Sequence, residues 1–259
     1  MIDIPVTELT AWIGRYLWPF FRVGAFFMAM PIIGTQLVPM RIRLGLALVV
    51  TLVAVPMLPV MPRIDPLSIQ AYLLIGQQLL IGLAMAFILQ ILFQIFVLVG
   101  QMIAMQMGLG FASMVDPTNG VSVAILSQFY LMLAMMLFLA MNGHLVVIEV
   151  MVESFTTMPV ALTGFDFGLF NILVNWALWM FASALVMAMP AITALLIVNF
   201  AFGIMNRAAP QFNIFSLGFP FSMIFGLLIV FISLSGFLPQ FELVVGQSLL
   251  MMREWIGAS

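Results

Sequence analysis

Residues 67–106 read LSIQAYLLIGQQLLIGLAMAFILQILFQIFVLVGQMIAMQ, a run of mostly apolar side chains without a charge. One membrane crossing by a helix needs about 20 apolar residues, so this run has twice the necessary length. As one helix it would extend about 60 Å, against about 30 Å of hydrocarbon in a bilayer. The run therefore predicts either a membrane helix that tilts and projects beyond the bilayer, or one that breaks into a hairpin.

The composition of the whole chain agrees with a membrane location. Of its 259 residues 65% are hydrophobic and 6% are charged, whereas about 25% of the residues in soluble domains are charged. The apolar runs are continuous, which differs from the short alternating segments of membrane β-barrels. The fold class that follows is all-α, a polytopic integral membrane protein.

Six long apolar blocks can be drawn, and prolines are expected to kink several of them. Pro19 and Pro31 should bend the first block, a cluster at 56–62 should end the second, and Pro190 should kink the fifth. No internal repeat of 20–50 residues or low-complexity linker is present, so we expect one domain over 1–259. The blocks cover residues 9–33, 44–62, 67–106, 121–148, 168–205 and 212–241.

The few arginines predict the orientation in the membrane. Arg41 and Arg43 lie between the first two blocks and Arg207 lies between the last two, whereas the connection at 149–166 carries only acidic charges. Because positive residues favour the cytoplasmic side, the turns at 34–43 and 206–211 should be cytoplasmic and both termini outside. Arg63 counts against this orientation.

Several functional classes find no support in the sequence. The chain has no cysteine and one histidine, so a zinc or thiolate site is not expected. It has no basic patch for nucleic acid. Ser113 has no neighbouring base to activate it, and no cofactor or phosphate-binding motif occurs. We therefore expect a protein without catalytic residues, metal or cofactor.

Polar residues inside the apolar blocks need an explanation. Arg22 lies deep in the first block, so its helix face should meet protein or water rather than lipid. Gln90, Gln94 and Gln101 fall within about 40° on one helix face, which suits either interhelical hydrogen bonds or the wall of a wet passage. The candidates for buried polar or assembly contacts are Arg22, Arg41, Arg43, Gln90, Gln94 and Gln101.

The longest uncharged run is followed by MGLGFASMVDPTNG at 107–120, a turn that carries apolar side chains. Gly108 and Gly110 allow backbone conformations that other residues avoid. Irregular backbone at membrane depth is tolerated where it is buried in protein or lines a cavity. From the residues alone the segment is either an ordinary interhelical loop or a functional element.

Three stretches together resemble one known family. They are FRVGAFFMAMPIIGTQLVPMRIRLGLAL at 21–48, the glycine-containing turn at 107–120, and NRAAPQFNIFSLGFP at 206–220. In this order and at these separations they resemble the FliR family, integral-membrane subunits of the flagellar type III protein export gate. The similarity covers nearly the whole chain.

The resemblance implies a place in a larger assembly in the bacterial inner membrane, at the flagellar basal body. Expected partners are FliP-like and FliQ-like subunits, FlhB, FlhA, membrane lipid and unfolded flagellar export substrates. Residues 1–165 would form a FliP-like part and residues 166–259 a FliQ-like hairpin.

The resemblance also assigns roles to two segments. The segment after the third block, here called the plug segment (residues 108–120), would block the export channel, with Phe111 and Met114 at its tip. The turn at 206–213 would face FlhB at the cytoplasmic entrance. The plug residues implied are Met107, Gly108, Gly110, Phe111, Ala112, Ser113, Met114, Asp116 and Pro117, and those of the turn are Arg207, Pro210, Gln211, Phe212 and Asn213.

Two other functions stay open from the residues. Pro190 and the glutamine face would also suit an ion-coupled secondary transporter with broken helices and a midplane site. The chain could equally be an assembly subunit without a gating role.

Overall fold

A computed structural model describes residues 6–34, 38–62, 64–65, 68–109, 125–161, 168–208 and 214–257. All regular secondary structure in these ranges is helical, which confirms the all-α prediction. The helices are α1 (Val6–Ala29), α2 (Met40–Ala54), α3 (Ile69–Gln106), α4 (Ile125–Ala140), α5 (Gly143–Thr157), α6 (Gly168–Ala208), α7 (Ile214–Ser233) and α8 (Phe237–Ile256).

The two longest apolar blocks each form one uninterrupted helix. Helix α3 has 38 residues and α6 has 41, so the predicted alternative of a hairpin within these blocks is wrong. Helix α6 continues on both sides of Pro190, and α1 likewise contains Pro19. A proline in a helix removes one backbone hydrogen bond, which long flanking helical segments tolerate.

The prediction for the fourth block is wrong in its boundaries. Helix α4 ends at Ala140, and α5 continues at an angle of 70° to Thr157. At the break Asn142 has φ 57°, a left-handed conformation that asparagine tolerates better than most residues. Glu149 and Glu153, expected in a connection, therefore lie on a helix.

The last block also differs from the prediction, which ended it at residue 241. A short 3-10 turn at Leu234–Gly236 links α7 to a further helix, α8. Its buried side chains recur at helical spacing, whereas Glu242 and Glu254 are exposed. The acidic residues lower the local hydropathy, which is why the apolar run seemed to end early. The buried residues of α8 are Phe237, Phe241, Val244, Val245, Ser248, Met252, Trp255 and Ile256.

Four helical stretches of the described chain are long and apolar enough to cross a membrane. They are Met40–Met57, Ile69–Gln106, Asn171–Ala208 and Pro220–Ile256, and the bent pair α4 and α5 gives a fifth if it counts as one span. Helix α3 is the most buried of the four. In its most apolar stretch of 18 residues 67% are buried, against 22% in each of the others.

The residues pack into two compact units. The first contains Met1–Ile91, Phe138–Trp176 and Gln247–Ser259. In it α1 and α3 approach closely at Gly82, where a Cβ atom would lie 3.0 Å from Ala25 Cβ and 3.1 Å from Phe26 N. Helix α1 contributes large buried side chains to this core, among them Trp18 and Phe26.

The second unit contains Leu92–Leu137 and Ala177–Gly246. Its core includes Phe96 of α3, Tyr130 of α4, and Phe237 and Phe241 of α8, with neighbouring ring centroids 5.4–6.2 Å apart. Such distances are typical of packed aromatic pairs. Helices α3 and α4 touch backbone to backbone at Gly100, where a Cβ would lie 2.5 Å from Ser127 Cα.

Candidate functional site

The first unit contains a buried arginine, Arg22. The Arg22 side chain is fully buried, and Nε donates to Gln78 Oε1 of α3 at 2.8 Å. Nη1 donates to the Ser154 carbonyl at 2.8 Å and to Ser154 Oγ at 3.1 Å, and Nη2 donates to the Met158 carbonyl at 2.8 Å. The guanidinium also lies 4.2 Å from the Phe155 ring centroid. Arg22 thus connects α1 with α3 and with the end of α5.

In the described residues the oxygens that accept hydrogen bonds from Arg22 are all neutral. Two of them, the carbonyls of Ser154 and Met158, lie at the C-terminal end of α5. The Ser154 carbonyl also accepts from the Met158 N–H at 2.9 Å, whereas the Met158 carbonyl lies beyond this last helical hydrogen bond. The helix dipole is negative at that end. The guanidinium therefore caps α5, and Phe155 adds a cation–π contact.

The sequence predicts that the helix face of Arg22 meets protein or water rather than lipid, and in the structure the side chain is fully buried. Its partners Gln78 and Ser154 were not predicted. In the sequence, Gln78 is a polar residue within an apolar run, and this was the available signal that it needs a polar partner. In the structure it is buried.

Of the three glutamines predicted to share one helix face, Gln90 is the one that joins two helices. Gln90 Nε2 donates to the Ala29 carbonyl at 2.8 Å, which joins α3 to the end of α1. Gln94 and Gln101 are exposed on α3. Within this chain Gln90 is thus an interhelical link, and its two neighbours face outward.

The arginines predicted in turns lie at helix ends. Arg41 and Arg43 are in the first turn of α2, where a positive charge is unfavourable to the helix dipole. Arg41 is exposed, and Arg43 Nε donates to the Val38 carbonyl at 2.9 Å. Arg207 is exposed in the last turn of α6, the favourable end for a cation.

Helix α3 ends in a hydrogen-bonded turn at the start of the plug segment. Gly108 has φ 82°, its N–H donates to the Met105 carbonyl at 3.0 Å, and the Leu109 N–H donates to the Ala104 carbonyl at 3.0 Å. This pair of bonds with a left-handed glycine is the Schellman motif. A glycine is required there because other residues rarely adopt this φ.

The same turn is fixed to two further helices of the second unit. Asn199 Nδ2 of α6 donates to the Gln106 carbonyl at 3.1 Å, and Ser222 Oγ of α7 donates to Asn199 Oδ1 at 3.0 Å. Met107 is buried, and its side chain fills the space that a Cβ at Gly226 of α7 would need. Asn199 thus forms hydrogen bonds between helices, whereas Asn171 and Asn175 are exposed.

Eleven other predicted residues lie outside the described part of the chain. Those of the plug segment are Gly110, Phe111, Ala112, Ser113, Met114, Asp116 and Pro117, and those of the turn after α6 are Pro210, Gln211, Phe212 and Asn213.

These features define a polytopic helical membrane protein with a capped helix end at the start of an apolar, glycine-containing segment. Among the described residues no group of three or more His, Cys, Asp or Glu side chains could hold a metal ion. The profile of the family described as bacterial export proteins, family 1, matches residues 13–248. The chain belongs to this family.

Individual relatives agree with the family match, and confirm the resemblance to FliR. Flagellar biosynthetic protein FliR of Escherichia coli K12 is 37% identical over 227 residues, which cover 88% of this chain and 87% of the relative. FliR of Pectobacterium carotovorum is 33% identical over 88% of this chain and 87% of its own length. FliR of Buchnera aphidicola from Acyrthosiphon pisum is 31% identical over 98% of both chains.

Proposed function

We propose that this membrane-embedded component of the flagellar export apparatus helps to form, and plugs, the channel through which unfolded flagellar proteins cross the inner membrane. The observation that carries the proposal is the end of α3. The helix stops at a left-handed glycine and is anchored to α6 and α7 directly before the plug segment. A plug needs a fixed base, and this turn supplies one.

The chemistry of the plug segment supports the same role. Phe111 and Met114 are apolar, so they would exclude water and ions from a closed channel. Methionine is flexible and polarizable, so Met114 could repack around many different side chains. Gly110 and Gly120 leave the segment free to adopt conformations that side chains would forbid.

The test is deletion of residues 110–114. We expect the assembled complex to keep its mass but to become permeable to small ions, measured as ion flux in vesicles. Phe111→Leu with Met114→Leu is the matched control and should stay tight, whereas Phe111→Ser with Met114→Ser should leak. An intact deletion complex that remains tight would remove the plugging role.

We propose further that the chain functions in a hetero-oligomer with FliP-like and FliQ-like subunits, with FlhB and FlhA adjacent. Its residues 1–165 would take the FliP-like place and residues 166–259 the FliQ-like place. The exposed apolar surface of α6 and α7 supports this, because such surface needs lipid or protein cover. Native mass measurement after gentle extraction, with the neighbouring export genes co-expressed, tests it. A monomer or homodimer that ignores these partners would contradict it.

We propose that the turn after α6 contacts the cytoplasmic partner FlhB. Arg207 is exposed beside it. Arg207→Glu or Gln211→Ala should block secretion while the protein still inserts into the membrane. Asn206→Ala, at the neighbouring exposed position, is the control and should secrete normally. Normal secretion from both test variants would argue against this contact.

The proposed role requires no catalysis by this chain. The transporter alternative relied on a broken fifth block and on a midplane glutamine face. Helix α6 is continuous through Pro190, and Gln94 and Gln101 are exposed, so both supports are weakened.

A further inference from the structure

The exposed residues of α3 follow one line along the helix. Positions 69, 76, 83, 90 and 97 repeat every seven residues, and so do positions 73, 80, 87, 94 and 101. None of these ten positions is buried, and from Leu83 to Gln101 they include every exposed residue of the helix. We call these ten positions the seam.

The spacing of the seam is that of a contact between two helices. Its steps alternate between four and three residues, which is the a and d pattern of a coiled coil. A straight helix has 3.6 residues per turn, so a strict seven-residue repeat drifts by about 20° per heptad and favours a left-handed supercoil. The seam therefore suits a second helix that runs along α3 at a crossing angle of about 20°.

The chemistry of the seam changes along its length. The first half is apolar, and its side chains are accessible, with Ile69 78% and Phe87 44% exposed. The second half contains Gln90, Gln94 and Gln101, which are also exposed. A partner that covers the whole seam must therefore be apolar against one half and form hydrogen bonds with the other.

The glutamines determine what kind of partner fits. No side-chain hydrogen bond joins Gln94 or Gln101 to another residue in the described part of the chain. Gln90 uses one of its two N–H groups for the Ala29 carbonyl. Amide groups in hydrocarbon are costly without a partner, and glutamines of membrane helices form hydrogen bonds with neighbouring helices. Lipid alone would leave these amides unsatisfied, whereas polar side chains of an adjacent helix would satisfy them.

The seam is large enough for a specific contact. Between positions 69 and 101 the helix rises about 48 Å, and a helix with its side chains is about 10 Å wide. The strip thus covers about 500 Å² on each of two helices, or about 1,000 Å² in total. Biological interfaces begin at about this size.

We propose that the seam is the contact surface for one long membrane helix of another subunit. This helix is apolar against positions 69–87 and presents amide or hydroxyl side chains to Gln94 and Gln101. The inference rests on the proposed place of the chain in a hetero-oligomer, and it names the helix through which one contact is made. A wet passage along α3 is the competing explanation for the glutamines. Water, however, gives no reason for the seven-residue repeat or for the apolar half.

The first experiment places a photoreactive phenylalanine analogue at position 87, 94 or 101 of the chain in the assembled complex. These positions are seven residues apart, so the three crosslinks should fall on one partner helix at sites about seven residues apart. Position 70 is the control, because Gln70 is exposed on α3 outside the seam and should give no crosslink to that helix. Crosslinks to lipid alone, or to several subunits without a common spacing, would overturn the seam.

A second experiment tests for water. The variants Gln94→Cys and Gln101→Cys each introduce the single thiol of the chain. In the assembled complex both thiols should be protected from a water-soluble maleimide, and both should react after the complex is dissociated in denaturing detergent. Reaction of both thiols in the intact complex would show that α3 lines a wet passage, and the seam would be overturned.

A third experiment measures the hydrogen bonds. Gln94→Leu and Gln101→Leu should each weaken association with the partner subunit about three-fold, the factor that one hydrogen bond between membrane helices represents. Native mass at limiting partner concentration gives the fraction of the chain in the complex. Gln70→Leu is the same change outside the seam and should have no effect. Unchanged association for both seam variants would refute the proposed contact.

The same two variants separate a contact with a partner from packing within the chain. Gln94 and Gln101 are exposed, so their replacement should leave the melting temperature of the extracted chain unchanged. A lower melting temperature would assign the glutamines to the packing of the chain itself and would count against the seam.

The outcomes also separate this inference from the proposed hetero-oligomer. If native mass finds the chain alone, the hetero-oligomer fails, and the seam fails with it. If the complex assembles but the crosslinks lack the seven-residue spacing, the hetero-oligomer stands and the seam is overturned.

Discussion

Arg22 is a charged residue in the least favourable environment, and its donors explain why the fold accepts it. Guanidinium presents several N–H groups in a planar arrangement, and two helices, α3 and α5, provide oxygens for them. A lysine has one compact ammonium group and could not reach all of these acceptors. The arginine therefore contributes a junction between helices as well as a charge.

Replacing Arg22 by methionine should destabilise the protein by about 3 kcal/mol, because each buried acceptor left without a donor costs about 1–3 kcal/mol. The stability of the Arg22→Lys variant should lie between that of Arg22→Met and that of the wild type. Thermal unfolding of the extracted protein measures both. Arg15→Met is the matched control on α1, since Arg15 is exposed and should have little effect. Equal melting temperatures for Arg22→Met and Arg15→Met would refute this role.

How far the sequence predicts such a site depends on distance along the chain. The depth of Arg22 in an apolar block predicts that it meets protein or water rather than lipid. Its acceptors at Ser154 and Met158 are 132 and 136 positions away. Hydropathy contains no information on which distant residues meet, so Gln78 and Ser154 became visible only in the structure.

At the scale of the helix, α3 uses glycines to bring neighbours close. A Cβ at Gly82 would collide with the backbone of α1, and one at Gly100 with that of α4. Gly76, on the same helix, has no atom within 4 Å of its Cβ position. The three glycines therefore have different roles that their shared helix does not suggest.

Gly82→Ala should destabilise the protein by about 1–3 kcal/mol, the usual effect of overpacking a close contact. Gly76→Ala should stabilise it by about 0.5–1 kcal/mol, because alanine favours the helix and meets nothing there. Opposite shifts in the melting temperature of the extracted protein are the expected result. Two shifts of the same sign would contradict the close packing of α1 on α3.

Hydropathy predicted the long helices well and the bends poorly. Residues 67–106 and 168–205 were recognised to within a few residues, because uncharged length is a direct physical requirement for crossing a bilayer. The break at Asn142 depends on a single φ angle, which an average over many residues cannot detect. An Asn-Gly pair at 142–143 was the available signal.

At the scale of the molecule, the length of α6 constrains its surroundings. Its 41 residues extend about 60 Å, and large apolar side chains such as Val174, Val186 and Phe200 are exposed along it. To fit within about 30 Å of hydrocarbon it would have to tilt by about 60°, whereas membrane helices tilt by about 0–40°. We infer that part of its apolar surface lies beyond the bilayer and is covered by other subunits.

Single cysteines at Val174, Val186 and Phe200 test this inference in a chain with no other thiol. In the protein produced alone, at least one of the three should react with a water-soluble maleimide. In the assembled complex that position should become protected. Protection of all three in the isolated chain would mean that lipid covers the whole helix.

At this scale the sequence alone did predict the protein family. Three motifs spread over its length resemble that family, and the family match over residues 13–248 agrees with them.

The distance in sequence between Arg22 and its acceptors has a consequence for biosynthesis. The ribosome adds Arg22 long before it reaches Met158, 136 residues later. At about 5–20 residues per second that interval is roughly 7–27 seconds. During it the cation has to be accommodated by water, lipid headgroups or an insertion factor. Emergence of α5 then closes the junction and removes the charge from these temporary surroundings, well before Gln247–Ser259 completes the first unit.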